Sequence, residues 1–163
     1  TVEEYFKGET DGNAKANMLG ALIALGKNNR DKVVELVAAN GEAMRENNEV
    51  LEKLVPYANY RLTDALLPYV LKLGWSGRKH AYRIFAAAKD PVAAKLMVEQ
   101  YNGKESDGDC KRILKDILMA GYPGVAWDVQ SEKASLLSDA ELKALIDERN
   151  RKMKGEKEAP AQP

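Results

Sequence analysis

The sequence predicts an all-α protein, a compact bundle of about eight to ten short helices, and three observations support this fold class. Apolar residues recur at spacings of three and four almost throughout the chain. Strand-like alternation is absent, and β-branched residues do not accumulate in any segment. Residues that start and stop helices occur at intervals that suit short helices. Together these patterns favour amphipathic helices that are stabilised by packing against one another.

Helix caps then place the elements in order along the chain. Ser or Thr stands three residues before an acid at 1–4, 106–109 and 138–141, which is the capping-box pattern. Asp90 before Pro91 is typical of an N-cap followed by proline in the first turn. Glycines stand where helices should stop, namely Gly26, Gly41, Gly74, Gly103 and Gly121. The predicted helices lie near 2–7, 13–25, 30–39, 42–55, 58–73, 77–89, 91–102, 107–120, 124–134 and 139–153.

Three segments of the chain share a pattern in which an apolar helix runs through a glycine into a second helix. Their glycines are Gly26, Gly74 and Gly121, and apolar residues follow eight positions later at Val34, Tyr82 and Val129. A period in the forties is typical of stacked helical-hairpin repeats. An irregular bundle without repeats remains the alternative interpretation.

Length and composition limit the domain organisation and the partner classes. The 163 residues suit a single all-α domain over 1–153, followed by a flexible polar tail over 154–163. Lys and Arg number 25, as do Asp and Glu, so no global field attracts nucleic acid or an anionic membrane. No apolar run approaches the length of a membrane span. We therefore expect no nucleic-acid partner and no membrane insertion.

The compartment stays open at this level. A single cysteine, Cys110, excludes an intramolecular disulfide but does not identify the redox environment. The chain starts at Thr1 rather than at methionine, which is compatible with a soluble mature protein processed for secretion or for an organelle.

The sequence offers no pattern typical of an enzyme, a cofactor site or a metal site. Phosphate-binding, dinucleotide-binding, nucleophile-elbow and zinc-protease motifs are all absent. The acidic, glycine-containing segments at 9–13 and 104–110 lack the spacing of a calcium loop. Cys110 lies beside acids that oppose a thiolate, so we interpret it as an inert, partly buried residue. We predict no catalytic residues, no cofactor and no metal.

The stretch at 71–91 contains the candidate partner-binding residues. The predicted face consists of Trp75, Arg78, Lys79, Tyr82 and Arg83. The cations could receive an acidic partner, while tryptophan is a frequent anchor of protein interfaces. The alternatives are a solvated helix face for the cations and packing within a helix corner for the tryptophan. The same choice applies to Trp127, after the next predicted corner.

His80, the only histidine, lies within this basic cluster. Catalysis would require a carboxylate that orients its imidazole, and the neighbouring cations disfavour its protonated form. We therefore do not assign His80 a catalytic role.

The region from about 60 to 150 resembles the WY-type helical domains of secreted oomycete effectors of the RxLR class. The resemblance rests on "YVLKLGWSGRKHAYRIFAAAKD" and on the segment from "MVEQYNGK" to "QSEKA". It implies that Trp75 or Tyr69 pairs with Tyr101, which precedes Asn102. Two departures are visible. No tryptophan occupies the middle of the first helix, and the given residues include no RxLR-type leader, a segment that lies upstream and would be lost from a mature fragment. The resemblance implies a secreted virulence protein that binds host proteins without catalysis.

Two functional interpretations follow. The first is a non-enzymatic protein–protein interaction module, with a secreted effector that binds host proteins as its most specific form. The alternative is an accessory structural subunit of a larger complex, for example in an organelle. The identity of the protein partner is not contained in the sequence.

Overall fold

A computed structural model describes residues 4–5, 8–25, 30–40 and 48–158. Within these residues the bounds of eight α-helices and one two-stranded sheet are defined, so the predicted helical fold class is confirmed. The chain divides into two units, Thr1–Ala88 and Lys89–Pro163. We call them the N-terminal unit and the C-terminal unit. No described helix is both long and apolar enough to cross a membrane.

The N-terminal unit is built from helices alone in its described part. Its α-helices are α1 (Gly12–Leu25), α2 (Arg30–Ala39), α3 (Asn48–Leu54), α4 (Tyr60–Leu66) and α5 (Trp75–Ala88). Short 3-10 turns follow α3 at Val55–Tyr57 and precede α5 at Val70–Lys72. Helix α3 packs on α1 and α5, while α4 packs on α2 and α5. The core between them is mainly aliphatic, including Leu19, Leu51, Leu54, Leu62, Leu66 and Ile84.

The segment predicted as one helix over 58–73 is divided into α4 and a 3-10 turn. Asn59 caps α4, because its side chain accepts a hydrogen bond from the Leu62 amide at 2.8 Å. The helix ends at Leu66 because Pro68 has no amide hydrogen to continue it and restricts the preceding residue. The prediction of an uninterrupted helix was wrong, and Pro68 is the physical reason.

The C-terminal unit begins with a 3-10 turn at Pro91–Ala93 and continues through α6 (Ala94–Glu99) into a π-helical turn at Gln100–Lys104. Helix α7 (Gly108–Ala120), strands β1 (Val125–Asp128) and β2 (Lys133–Leu136), and helix α8 (Asp139–Glu158) follow. The predicted N-cap at Asp90 is confirmed, since its carboxylate accepts from the Val92 amide at 3.2 Å.

The caps of α7 and α8 also compare directly with the prediction. At 138–141 the capping box is confirmed, because Ser138 and Glu141 exchange hydrogen bonds between amide and side chain. At 106–109 the cap is Asp107 rather than Ser106, since the Asp107 carboxylate accepts from the Cys110 amide at 2.9 Å. The capping box at 1–4 cannot be compared because residues 1–3 lie outside the described residues, as do the glycines at 26 and 41.

The predicted helix at 124–134 was wrong, because this segment forms an antiparallel hairpin. Val125 pairs with Leu136 and Asp128 with Lys133. The inward side chains include Trp127 and Ala134, whereas Ala126 and Ser135 point to solvent. The third of the three similar segments therefore continues into strands, and the helix–glycine–helix pattern does not extend to it.

Two glycines with positive φ turn the chain from α7 into this hairpin. Helix α7 ends at Gly121, whose φ is 103°. Gly124 has a φ of 86°, and a Cβ there would lie 2.7 Å from Cδ1 of Leu142 in α8. Glycine is therefore strongly favoured at position 124 by its backbone conformation, and any other residue would also have to displace the end of the Leu142 side chain.

The last helix is longer than predicted. Helix α8 runs through Glu158, so residues 154–158, expected in the polar tail, are helical. Residues 159–163 lie outside the described residues, and the flexibility of that end stays a prediction.

Candidate functional site: an aromatic and cationic surface at the start of helix α5

A run of cations without acids surrounds the start of α5. Between Asp64 and Asp90 the sequence contains Lys72, Arg78, Lys79, Arg83 and Lys89 but no Asp or Glu. Lys72 to Arg83 belong to the N-terminal unit. Since the whole chain has a formal net charge of zero, this local excess of positive charge is a specific property of the segment.

Trp75 is the most exposed aromatic side chain of this segment. It is the first residue of α5, and 51% of its surface is accessible. The Nζ of Lys79, one helical turn later, lies 5.1 Å from the centroid of the indole ring. The helix starts at Trp75 itself, and the indole contacts a cation at the surface, so packing within a helix corner does not describe this residue.

A second pair of the same kind lies in the turn before α5. The Nζ of Lys72 is 5.6 Å from the centroid of the Tyr69 ring. Between these two residues Leu71 is 56% exposed. The turn thus exposes an apolar side chain within the same segment as the Lys72–Tyr69 contact.

Arg78 fixes the junction between the turn and the helix. Its Nη1 donates to the carbonyl oxygen of Leu73 at 2.9 Å, and its amide donates to that of Gly74 at 2.9 Å. Leu73 itself is buried in the core of the N-terminal unit. The guanidinium is therefore held in place before any partner arrives, which lowers the entropy cost of binding. We call Tyr69, Leu71, Lys72, Trp75, Arg78 and Lys79 the corner surface.

The structure separates the five residues of the predicted partner face. Trp75 and Arg83 are exposed and Arg78 and Lys79 are partly exposed, but Tyr82 is fully buried. Both α3 and α4 pack against α5, so a wide face of this helix is covered and Tyr82 lies within it. Tyr82 is therefore a core residue, and its assignment to the partner face is corrected.

His80 lies on the buried side of α5 and is only 6% exposed. Its pKa is lowered, mainly by burial; Glu52 opposes this shift, while Lys79 and Arg83 add to it. The prediction that neighbouring cations disfavour the protonated form of His80 is thus confirmed, since Lys79 and Arg83 both lower its pKa. Its Nδ1 has no hydrogen-bond partner in the described residues. A neutral imidazole with this environment fits a core position better than a proton-transfer site.

The described residues contain no group of three or more His, Cys, Asp or Glu side chains that could hold a metal ion. Cys110 is fully buried at the start of α7 and forms no disulfide. This burial agrees with its interpretation as an inert residue and exceeds the partial burial that was expected.

The C-terminal unit contains a buried polar centre that the sequence did not predict. Arg149 of α8 donates through Nε to Oδ1 of Asp90 at 3.2 Å and through Nη2 to Oδ2 at 3.0 Å. The hydroxyl of Tyr122 donates to the carbonyl oxygen of Asp90 at 2.6 Å. Burial raises the pKa of Tyr122 far above its ordinary value. Because both charged side chains are almost completely buried, this centre joins α8 to the start of the unit and is closed to ligands.

Trp127 and Tyr101 form a second aromatic pair in the C-terminal unit. Their ring centroids are 5.6 Å apart, at an angle of 48°. Tyr101 also donates to the carbonyl oxygen of Glu132 at 2.9 Å, and Asn102 Nδ2 donates to that of Ala134 at 2.8 Å. Trp127 therefore packs the hairpin against the π-helical turn, as the structural alternative expected for this residue.

Comparisons of the chain with protein-family models, with curated proteins and with solved structures gave no match. The function is accordingly argued from the chemistry of the corner surface.

Proposed function

We propose that the chain is a non-enzymatic protein–protein interaction module that binds its partner through the corner surface. The observation that supports this most directly is that two large apolar side chains four residues apart in the chain are more than half exposed, Leu71 and Trp75. Exposed tryptophan next to aliphatic side chains and arginine is typical of interface anchors, because a partner can bury both rings and methyl groups there.

The arrangement around the indole also favours specific binding over chance exposure. Lys79 lies over the ring, and Arg78 is fixed to the backbone at Leu73. Side chains that are ordered before binding lose little conformational freedom when the partner arrives. A partner would therefore gain most of the contact energy that the surface offers.

The identity of the partner separates the two forms of this proposal. The resemblance to effector domains makes a host protein the candidate for a secreted chain. The accessory-subunit alternative makes a permanent assembly of the source cell the candidate. The first form requires reversible association with a foreign protein, and the second requires stoichiometric association with the same assembly.

Photo-crosslinking from single positions tests the proposal. A photoreactive phenylalanine analogue placed at Leu71 should form an adduct with one protein in an extract of the source or of its host. The matched control places the analogue at Val129, which is 79% exposed but belongs to the C-terminal unit. Position 129 should form no adduct with that protein.

The adduct should also depend on the cations of the corner surface. Lys72→Glu with Lys79→Glu should reduce it strongly without changing the far-UV circular dichroism. Arg78 is left intact in this variant because its hydrogen bond to Leu73 holds the corner together. Equal adducts from positions 71 and 129, or an adduct insensitive to the double reversal, would remove the corner surface as the interface.

A further inference from the structure

The two lysines of the corner surface, Lys72 and Lys79, each contact an aromatic ring. Lys72 and Lys79 lie over aromatic rings, and neither they nor Arg83 has a carboxylate within ion-pair distance among the described residues. In the C-terminal unit, by contrast, Lys104, Lys115, Lys143 and Lys152 each lie within 2.9 Å of a carboxylate oxygen. Lys72 and Lys79 therefore offer positive charge that forms no ion pair with a carboxylate among the described residues.

Each ammonium over a ring remains able to bind a carboxylate from the solvent side. A cation above an aromatic face is attracted by the ring quadrupole but keeps its remaining N–H donors directed away from the ring. A carboxylate placed there would form a charge-assisted hydrogen bond while the ring keeps the ammonium in position. The corner surface contains two such positions among the described residues, one at Tyr69 and Lys72 and one at Trp75 and Lys79.

The apolar part of the surface sets a second requirement. Leu71 and Trp75 are each more than half exposed and are four residues apart in the chain. A purely acidic ligand would leave these side chains in water, whereas an apolar side chain of the partner would bury them. The ligand must therefore combine carboxylates with at least one apolar residue.

We infer, on the basis of the proposed function, that the occupant is an acidic amphipathic segment of a partner protein. Its carboxylates contact Lys72 and Lys79, and its apolar side chain covers Leu71 and Trp75. Charge complementarity supports this choice, since the segment from 65 to 88 contains four Lys or Arg residues and no acid.

The number of cations at the corner surface and the net charge of the chain make nucleic acid and anionic lipid less suitable ligands. Duplex-binding proteins typically neutralise about six to ten phosphates and carry a net positive charge. Here the cations of the segment are Lys72, Arg78, Lys79 and Arg83, and the formal net charge of the chain is zero.

The probe for this inference is a fluorescein-labelled synthetic peptide of about twelve residues, with glutamate and leucine at helical spacing. Two matched peptides replace every glutamate by glutamine or every leucine by serine. Fluorescence anisotropy with the full chain should show saturable binding of the first peptide, weakened about tenfold or more by either replacement. Raising the salt concentration should weaken the binding further, because the ammonium groups are exposed.

The matching variants separate the corner surface from general charge effects. Lys72→Glu with Lys79→Glu should weaken binding of the acidic peptide by about tenfold or more. Lys111→Glu with Lys133→Glu changes the net charge equally but alters exposed residues of the C-terminal unit, and binding should stay within about twofold of the parent.

Several outcomes would overturn the inference, and they are distinguishable from failure of the proposed function. Equal binding of the glutamine peptide would exclude an acidic ligand. Tighter binding of a single-stranded oligonucleotide or of phosphatidylserine vesicles would assign another class of partner. If no peptide binds while position 71 still forms its adduct, the proposed interaction module is retained and the inferred acidic partner is excluded. If the adduct is absent too, the proposed function itself fails.

Discussion

The two units of the chain use their charged and aromatic residues in opposite ways. In the C-terminal unit, Arg149 and Asp90 form a buried pair, and Trp127 contacts Tyr101 within the unit. In the N-terminal unit, Lys72 and Lys79 contact aromatic rings, and Trp75 is half exposed. The C-terminal unit thus uses these groups to stabilise its own fold. The other keeps them accessible, which is what a binding surface requires.

The comparison also suggests where each unit is vulnerable. The C-terminal unit relies on one long-range ion pair and on close packing around Gly124. The N-terminal unit relies on aliphatic side chains contributed by all of its helices. Replacement of one charged residue should therefore destabilise the C-terminal unit. Truncation of one aliphatic core side chain should destabilise the N-terminal unit. Because each unit contains one tryptophan, the fluorescence of Trp127 or Trp75 can report on one unit at a time.

The largest effect is expected from Arg149→Met, which leaves the carboxylate of Asp90 buried without its cation. Loss of one partner from a buried ion pair typically costs about 3–5 kcal/mol of unfolding free energy. Urea unfolding followed by Trp127 fluorescence in a Trp75→Phe background measures this cost. Lys143→Met is the matched control, because it breaks an exposed ion pair in the same helix and should change stability little. Equal effects of the two substitutions would show that the buried pair does not hold the unit together.

An intermediate effect is expected in the N-terminal unit from Leu73→Ala. Leu73 is buried beside the corner surface, so its truncation should lower the unfolding free energy by about 2–4 kcal/mol. The change is followed through Trp75 in a Trp127→Phe background. Leu71→Ala, two residues away but exposed, should leave stability nearly unchanged. A loss well below 1 kcal/mol for Leu73→Ala would contradict its place in the core.

The smallest effect is a pH dependence carried by His80. The pKa of His80 in the folded state lies below the ordinary value of 6.5. At pH values between these two, the unfolded chain therefore binds more protons than the folded chain. The stabilisation is fully present above pH 6.5 and is lost as the pH falls through the folded-state pKa. The thermal midpoint of the N-terminal unit should therefore fall on mild acidification, and His80→Gln should remove this dependence.

His80 can be titrated directly because it is the only histidine. Its ring proton resonance should shift with a midpoint below 6.5 in the free protein. A midpoint above that value would contradict the buried, unpaired imidazole. Binding of an acidic segment near Lys79 and Arg83 should raise the midpoint, since these two cations contribute to lowering the pKa.

Local patterns predicted much of the helical architecture. Helix α2 has the predicted bounds of 30–39, and the caps at Asp90 and Ser138 formed as expected. These features depend on residues within one turn of one another, so the sequence displays them directly. The hairpin was missed because four-residue strands carry too few positions for alternation to be distinguished from helical spacing.

The candidate site was predictable in its location but not in its orientation. The cations and Trp75 stood out in the sequence, yet whether Tyr82 faces the core depends on α3 and α4, which pack on α5 from other parts of the chain. The pairing of Asp90 with Arg149 was hidden for the same reason, since 59 residues separate them. Leu71 and Tyr69 joined the site only once the turn before α5 was known.

Gly124 has a consequence for how this protein can diverge. Any other residue at this position must adopt a positive φ and displace the Leu142 side chain of α8. Descendants of a common ancestor that keep the hairpin should therefore retain glycine here even after most surface residues have been exchanged. Together with the Asp90–Pro91 start and an arginine in the position of Arg149, this glycine forms a sparse signature by which distant relatives could be recognised.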